Sequence, residues 1–202
     1  MKNFPVNAWL EFLGDRSAGI PDAWSIYKHG RECYETGDLQ GAKKAENLNF
    51  ILHNSAIPSE AAMPERVHFA YGGIGVILHK DSELKLGVSI GSGVVLGGGV
   101  RGRGRTHSDG RRVGAPLIGE HAVLSTGAKI LGGVEIGSFS IIGANAGVRD
   151  SCPPLSILAG VPAKLIGRID QSNCERYKSM FLDMRTHSAE EFAELIVSIG
   201  GA

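Results

Sequence analysis

The stretch Leu78-His79-Lys80-Asp81-Ser82-Glu83-Leu84-Lys85-Leu86-Gly87-Val88-Ser89-Ile90-Gly91-Ser92-Gly93-Val94-Val95-Leu96 decides the architecture. An aliphatic residue returns every six positions, at Leu78, Leu84, Ile90 and Leu96. Four places after each stands a small or β-branched residue: Ser82, Val88, Val94 and Val100. The pattern stops, then resumes at Ile118, Leu124, Ile130, Ile136, Ile142 and Val148, with Ala122, Ala128, Val134, Ser140 and Ala146 in the matching fourth places. A period of six fits neither a helix of 3.6 residues per turn nor a plain alternating strand. It fits short strands joined by tight corners, each repeat forming one face of a triangular prism. Successive coils then stack at the strand spacing and bury one another. The repeated aliphatic residue points inward. The residue four on shares the same cramped interior. Glycine follows the aliphatic residue at Gly91, Gly97, Gly119, Gly137 and Gly143, where a corner is expected to need unusual dihedrals.

The two blocks are out of phase, because Leu96 to Ile118 spans 22 positions. Residues near 98–116 must therefore leave the prism as a loop. The segment is rich in Gly and Arg and nearly free of apolar residues, and long loops thrown from rigid scaffolds carry function or are solvated. Its Arg101, Arg103, Arg105, Arg111 and Arg112 suit phosphate or carboxylate in bidentate geometry; the plainer reading is a solvated basic loop. His107, beside Asp109, is a suitable base at neutral pH.

The flanks read differently. Residues 1–60 form a helical N-terminal region. One helix starts near Pro21-Asp22, and a second is capped by Asp38 and runs through Leu39, Ala42, Ala45, Leu48 and Ile51. The prism is assigned to 61–169. A helical tail, 170–202, carries an apolar stripe of Phe192, Leu195 and Ile196, expected to cover an open end of the coil.

Composition bounds the function. The 202 residues include 21 Lys plus Arg and 21 Asp plus Glu, a balance that supplies no basic field for nucleic acid or a membrane surface. The loop also lacks aromatic residues on which bases could stack. Glycine, at 29 residues, is about twice the average usage of roughly 7% and signals tight turns in bulk. Three widely spaced cysteines, Cys33, Cys152 and Cys174, suggest neither a disulfide framework nor a zinc site and suit a cytoplasmic protein. No signal peptide or membrane-length apolar run is read.

Three segments resemble the serine O-acetyltransferases and related polysaccharide O-acetyltransferases of the hexapeptide-repeat acyltransferase superfamily. They are Gly73-Ile74-Gly75-Val76-Ile77-Leu78-His79-Lys80-Asp81, Gly127-Ala128-Lys129-Ile130-Leu131-Gly132-Gly133-Val134-Glu135-Ile136-Gly137, and Ala159-Gly160-Val161-Pro162-Ala163-Lys164-Leu165-Ile166-Gly167. The resemblance implies a mainly β, left-handed parallel β-helix that assembles as a homotrimer. Acetyl-CoA and a small acceptor would meet in clefts between prisms. A histidine would act as general base in direct transfer, with no metal. It places Lys164, with Ala144 and Gly160, near the coenzyme; Arg111 and Arg112 join them by charge. Tyr71, Asp109 and Arg105 are assigned to the acceptor.

The positions that align with the family's two histidines hold Gly72 and Ala115. His107, His68 and His79 are the candidate replacements, while His121 reads as an exposed repeat residue. A binding subunit that has lost turnover, and an N-acetyltransferase acting on an amino sugar, are the alternative functions. Zinc-dependent hydration on the same prism needs three converging histidines and is disfavoured by the spacing.

Overall fold

The computed structural model describes residues 20–99 and 104–200. Val100, Arg101, Arg103 and the first 19 residues of the expected helical region 1–60 lie outside the described residues. Helix α1 spans Ala23–Glu35 and α2 spans Leu39–His53. Each opens on an aspartate whose side chain accepts a backbone N–H three residues on: Asp22 from Ser25 and Asp38 from Gly41. These caps are the ones the sequence predicts. The apolar stripe of α2 is not. Leu39, Leu48 and Ile51 are exposed, whereas Ala42, Ala45, Asn49 and His53 are buried. Two short alanines let α2 approach α1 closely, and the polar pair is buried because each member finds a partner. Asn49 Nδ2 donates to the Ala23 carbonyl at 3.1 Å, and His53 Nε2 lies 2.8 Å from the Pro21 carbonyl. Tyr27 carries α1 onto the prism entrance, its hydroxyl donating to the Ala61 carbonyl at 2.7 Å.

The strands are β1 (His68–Phe69), β2 (Ile77–Leu78), β3 (Glu83–Leu84), β4 (Ser89–Ile90), β5 (Val95–Gly97), β6 (Arg105–Thr106), β7 (Arg112–Val113), β8 (Leu117–Ile118), β9 (Val123–Leu124), β10 (Lys129–Leu131), β11 (Glu135–Ile136), β12 (Ile141–Ile142), β13 (Gly147–Val148), β14 (Ser156–Ala159) and β15 (Lys164–Arg168). Omitting β6 and β7, the chain from β1 to β13 visits three parallel sheets in rotation, and an isolated bridge from Cys152 to Ile136 stands for the third sheet before β14 returns to the first. The first holds β1-β4-β9-β12-β14, the second β2-β5-β10-β13, and the third β3-β8-β11. Isolated parallel bridges from Ala56 to Ile77 and from Ala62 to Glu83 begin the stacking ahead of β1. At the far end β15 turns back antiparallel on β14.

The register confirms the period of six. Leu78, Leu96, Ile130 and Val148 stack directly, as do Ile90, Leu124, Ile142 and Leu158, and Leu84, Ile118 and Ile136. All are buried, along with Ser82, Val88, Val94, Ala122, Ala128, Val134, Ser140 and Ala146 in the fourth places. Each aliphatic side chain so buried contributes about 1.5–3 kcal/mol.

The glycines after the aliphatic residues have a different cause from the expected one. They do not have positive φ. A Cβ at Gly91 would stand 2.5 Å from the Thr126 nitrogen of the next coil. The positive-φ residue instead comes three places before each inward aliphatic of the first and second sheets, at Gly75, Gly87, Gly93, His121, Gly127, Phe139, Asn145 and Leu155; Asp81, Ala115 and Gly133, ahead of the third sheet's Leu84, Ile118 and Ile136, do not share it.

The ejected segment forms the antiparallel hairpin β6–β7, with Arg105 opposite Val113. The tail contains α3 (Cys174–Lys178), a 3₁₀ turn at Leu182–Met184, and α4 (Ala189–Ser198), which starts in a Ser188/Glu191 capping box. It covers a side of the prism rather than its end. Phe181, Met184, Phe192 and Ile196 pack with Val123, Phe139, Ile141 and Leu155, because the outward residues of β9 and β12 are apolar.

Candidate functional site

The hairpin folds back on the corner that follows β2 and gathers a cluster of charged and titratable side chains there. Arg105 is the pin. Its side chain is 2% exposed and its guanidinium is paired with buried Glu83. The same guanidinium donates to the carbonyls of Ala115 (2.8 Å), Thr106 (3.3 Å), Asp81 (3.2 Å) and Pro116 (3.1 Å). With five N–H donors in all, it has none left for an acceptor carboxylate, so Arg105 serves the loop and not a ligand. Burial pushes the Glu83 carboxyl up, but hydrogen bonds from Ser108 and Arg105 outweigh it and hold the group below its ordinary value. The Ser108 N–H reaches Glu83 at 3.0 Å.

Arg111 is exposed and lies 2.7 Å from Asp109 and 3.5 Å from Asp81. Its hydrogen bond to Asp109 takes that carboxyl down to about 2. Arg112 is exposed and donates one bond, to the Gly104 carbonyl at 2.8 Å. Of the loop arginines among the described residues, Arg112 is the one free of a carboxylate.

Three candidate bases occupy three different settings. His107 is 12% exposed; its Nδ1 accepts the Asp109 N–H at 3.3 Å and lies 3.1 Å from the Asp109 carboxylate, while Nε2 is 3.8 Å from Glu83. Both ring nitrogens therefore face groups of its own cluster. His79 accepts the Asp81 N–H on Nδ1 at 3.2 Å. In the neutral ring the proton then sits on Nε2, beside Gly98, and that nitrogen donates. His68, on β1, has Nε2 3.0 Å from Asp183 Oδ1, and among the described residues no partner binds Nδ1. With its Nε2 proton given to a carboxylate, Nδ1 holds the lone pair a base needs.

His68 lines a cleft of about 660 Å³ between α1, the first sheet and the tail, with Trp24, Phe69, Arg66, Ser125 and Thr126 among its walls. That volume lies within the range typical of small-molecule sites. Tyr71 stands outside this lining. It is exposed, and both it and Gly72 have positive φ.

Asp183 is the site residue that sequence reading missed, and nothing local signals it, since it lies 115 positions from His68. His121 was misread as exposed. Its ring is wedged between Phe139, 4.8 Å away by centroids, and Asp183 Oδ2 at 3.5 Å; burial lowers its pKa against the pull of Asp183.

The coenzyme candidates sit elsewhere, around the exit of the prism. Lys164 begins β15, and Ala144, Gly160 and Lys164 are all exposed, Gly160 with φ of +91°. A second cleft, of about 520 Å³, is lined by Gly98, Gly99, Leu131 to Val134 and Arg149, at the mouth of the hairpin. Among the described residues no group of three or more His, Cys, Asp or Glu could hold a metal ion, and no helix is long and apolar enough to cross a membrane.

Residues 115–150 match the family described as bacterial transferase hexapeptide (six repeats). The chain is 34% identical over 154 residues to a serine acetyltransferase of Mycobacterium tuberculosis, covering 76% of this chain and 63% of that protein. The crystal structure of a serine acetyltransferase from Brucella abortus superposes with a TM-score of 0.63 at 27% identity, over 72% of this chain and 56% of the other. A serine acetyltransferase in complex with CoA superposes at 0.61 and 27% identity, over 71% and 56%. The chain thus spans about three fifths of the length of the curated relatives it matches. It carries the hexapeptide transferase repeat and is similar, along roughly three quarters of its own length, to the serine acetyltransferases.

Proposed function

We propose that the chain is an acetyl-CoA-dependent O-acetyltransferase acting on a small hydroxyl acceptor: serine, a related amino acid or a sugar. In this reading the helical region 1–60, a left-handed β-helix over 61–169 and the tail 170–202 make one protomer of a cytoplasmic homotrimer. The likeness to serine acetyltransferases supports the reaction class, and a reducing compartment suits the three free thiols.

One observation carries the choice of base. Of the three candidate histidines, His68 alone combines an engaged Nε2, an Nδ1 without a partner among the described residues, and a place on the wall of a ligand-sized cleft. In the reaction, His68 Nδ1 takes the proton of the acceptor hydroxyl as its oxygen attacks the thioester carbonyl. The tetrahedral intermediate collapses with cleavage of the C–S bond, and the imidazolium returns the proton to the departing thiolate. His79, with its proton on Nε2, is a donor, not a base. Lys164, Gly160, Ala144 and Arg112 are exposed and uncommitted to carboxylates, as a coenzyme site requires. Asp109 and Arg111 neutralise each other and shape the hairpin.

The test follows free thiol release from acetyl-CoA with serine, homoserine, hexoses and amino sugars. His68→Ala lowers kcat by roughly 10²-fold or more, the usual contribution of a positioned base, while His107→Ala retains turnover. The reverse ranking moves the base to the hairpin. Coenzyme binding with no turnover on any acceptor selects the second reading, a binding subunit, which Gly72 and Ala115 at the family's histidine positions favour. Absence of coenzyme binding removes both.

A further inference from the structure

His68 is held by a residue from the far end of the chain. Asp183 lies in the 3₁₀ turn Leu182–Met184 of the tail, flanked by Phe181 and Met184, both buried against the outer face of the first sheet. Its carboxylate is 14% exposed. Oδ1 reaches His68 Nε2 at 3.0 Å, and Oδ2 faces His121 Nδ1 at 3.5 Å without a hydrogen bond. The prism makes room for this carboxylate. A Cβ at Gly87 would stand 2.7 Å from Asp183 Oδ2 and 2.1 Å from His121 Nδ1. His121 adopts φ of +55°, a cost for a residue with a Cβ, and its ring then fills the wall between Phe139 and Asp183. Packing, a glycine and a left-handed histidine thus converge on one acid that touches no other described basic side chain than these two histidines.

We propose that Asp183 is the positioning residue of the site: the docked C-terminal tail supplies the carboxylate that fixes the His68 tautomer and leaves Nδ1 free to act. This rests on the acetyl-transfer reading for its consequence, but not for its first readout. A carboxylate on one imidazole nitrogen orients the ring and selects the tautomer without itself being protonated. The tail is then part of the catalytic apparatus, and its apolar contacts with Val123, Phe139 and Ile141 aim a base as well as cover a sheet.

The experiment is long-range ¹H–¹⁵N correlation of the histidine rings in the full chain, for the wild type, Asp183→Ala and Asp183→Asn, with amide exchange over 174–198 to report tail docking. The wild-type His68 ring carries its proton on Nε2. Asp183→Ala, with the tail still docked, gives a mixed tautomer, and Asp183→Asn, which retains an acceptor oxygen, recovers part of the preference. Where turnover is measurable, Asp183→Ala lowers kcat about 10²-fold or more while the KM for acetyl-CoA is unchanged. A tail released by Asp183→Ala but held by Asp183→Asn makes the Asn variant decisive, through kcat. A His68 tautomer indifferent to Asp183→Ala, or a wild-type ring protonated on Nδ1, overturns the proposal. The expected tautomer change in a chain that acetylates nothing would keep Asp183 as the positioning residue and discard the acetyl-transfer reading.

Discussion

At the scale of single residues, the pair of Glu83 and Arg105 shows how a loop can be mistaken for a ligand site. Arg105 stands in a run of Gly and Arg, and its type and neighbours suit an anion. What decides its role is Glu83, 22 positions earlier, which the return of the hairpin brings beneath it. No local pattern encodes that meeting. The same holds for His68 and Asp183, so the histidines were legible as candidates while their partners, which rank them, were not. The buried pair also makes a firm prediction. Arg105→Ala leaves Glu83 buried without its counter-charge and costs about 3–5 kcal/mol of stability. Replacing both, as in Glu83→Leu with Arg105→Met, is close to neutral or stabilising, because the desolvation of two charges is removed together. Urea denaturation of the single and double variants checks both. An Arg105→Ala loss below about 1 kcal/mol would return the residue to the solvated-loop reading.

At the scale of elements, the repeat and the helix caps were legible because they are local. A period of six, an aspartate three residues before its N–H partner, and a Phe–Leu–Ile stripe each leave a signature within a short window. Where an element docks is not local. The tail has the expected helical stripe, yet it lies on the outer face of the first sheet because Val123, Phe139 and Ile141 make that face apolar. His121 is trapped in this joint and gives it a pH dependence. Burial is the larger influence and lowers its pKa below the ordinary 6.5; the facing Asp183 and Glu120 oppose the shift, while Arg66 and His68 reinforce it. The unfolded chain therefore binds a proton here more readily than the folded one. Stability from this group is complete above about pH 6.5 and falls as the pH drops through the depressed folded value. The denaturation midpoint is expected to decline below pH 6.5 in the wild type and to decline less in His121→Asn, followed by near-ultraviolet circular dichroism or by exchange at 174–198. An identical pH profile in the two proteins would remove His121 from the joint.

At the scale of the whole molecule, the three faces of the prism are not equivalent. The tail covers the first, since Val123 and Ile141, which point outward from β9 and β12, are buried beneath it. On the third, Glu83 points outward and the hairpin covers it through Arg105. The second sheet is left with apolar residues in solvent: Ile77 is 46% and Leu131 is 38% exposed, with Ile74 and Tyr71 exposed on the adjoining corner. An apolar face of this kind suits self-association. It also adjoins both the hairpin mouth at Gly98 and Gly99 and the prism exit at Gly160 and Lys164, joined through β5, β10 and β13. Packing second sheets around a threefold axis would bring the hairpin of one copy toward the exit of the next, which is what a coenzyme cleft shared between prisms needs. Light scattering is therefore expected to give about 64 kDa, three times the 21.4 kDa of one chain. Leu131→Glu, which sets a like charge on each copy of the associating face, should reduce the mass to that of a monomer while far-ultraviolet circular dichroism is unchanged, and coenzyme binding at the prism exit should fall with it. A wild-type monomer that still transfers acetyl groups would confine the whole reaction to the cleft beside His68 and leave the second sheet without a catalytic role.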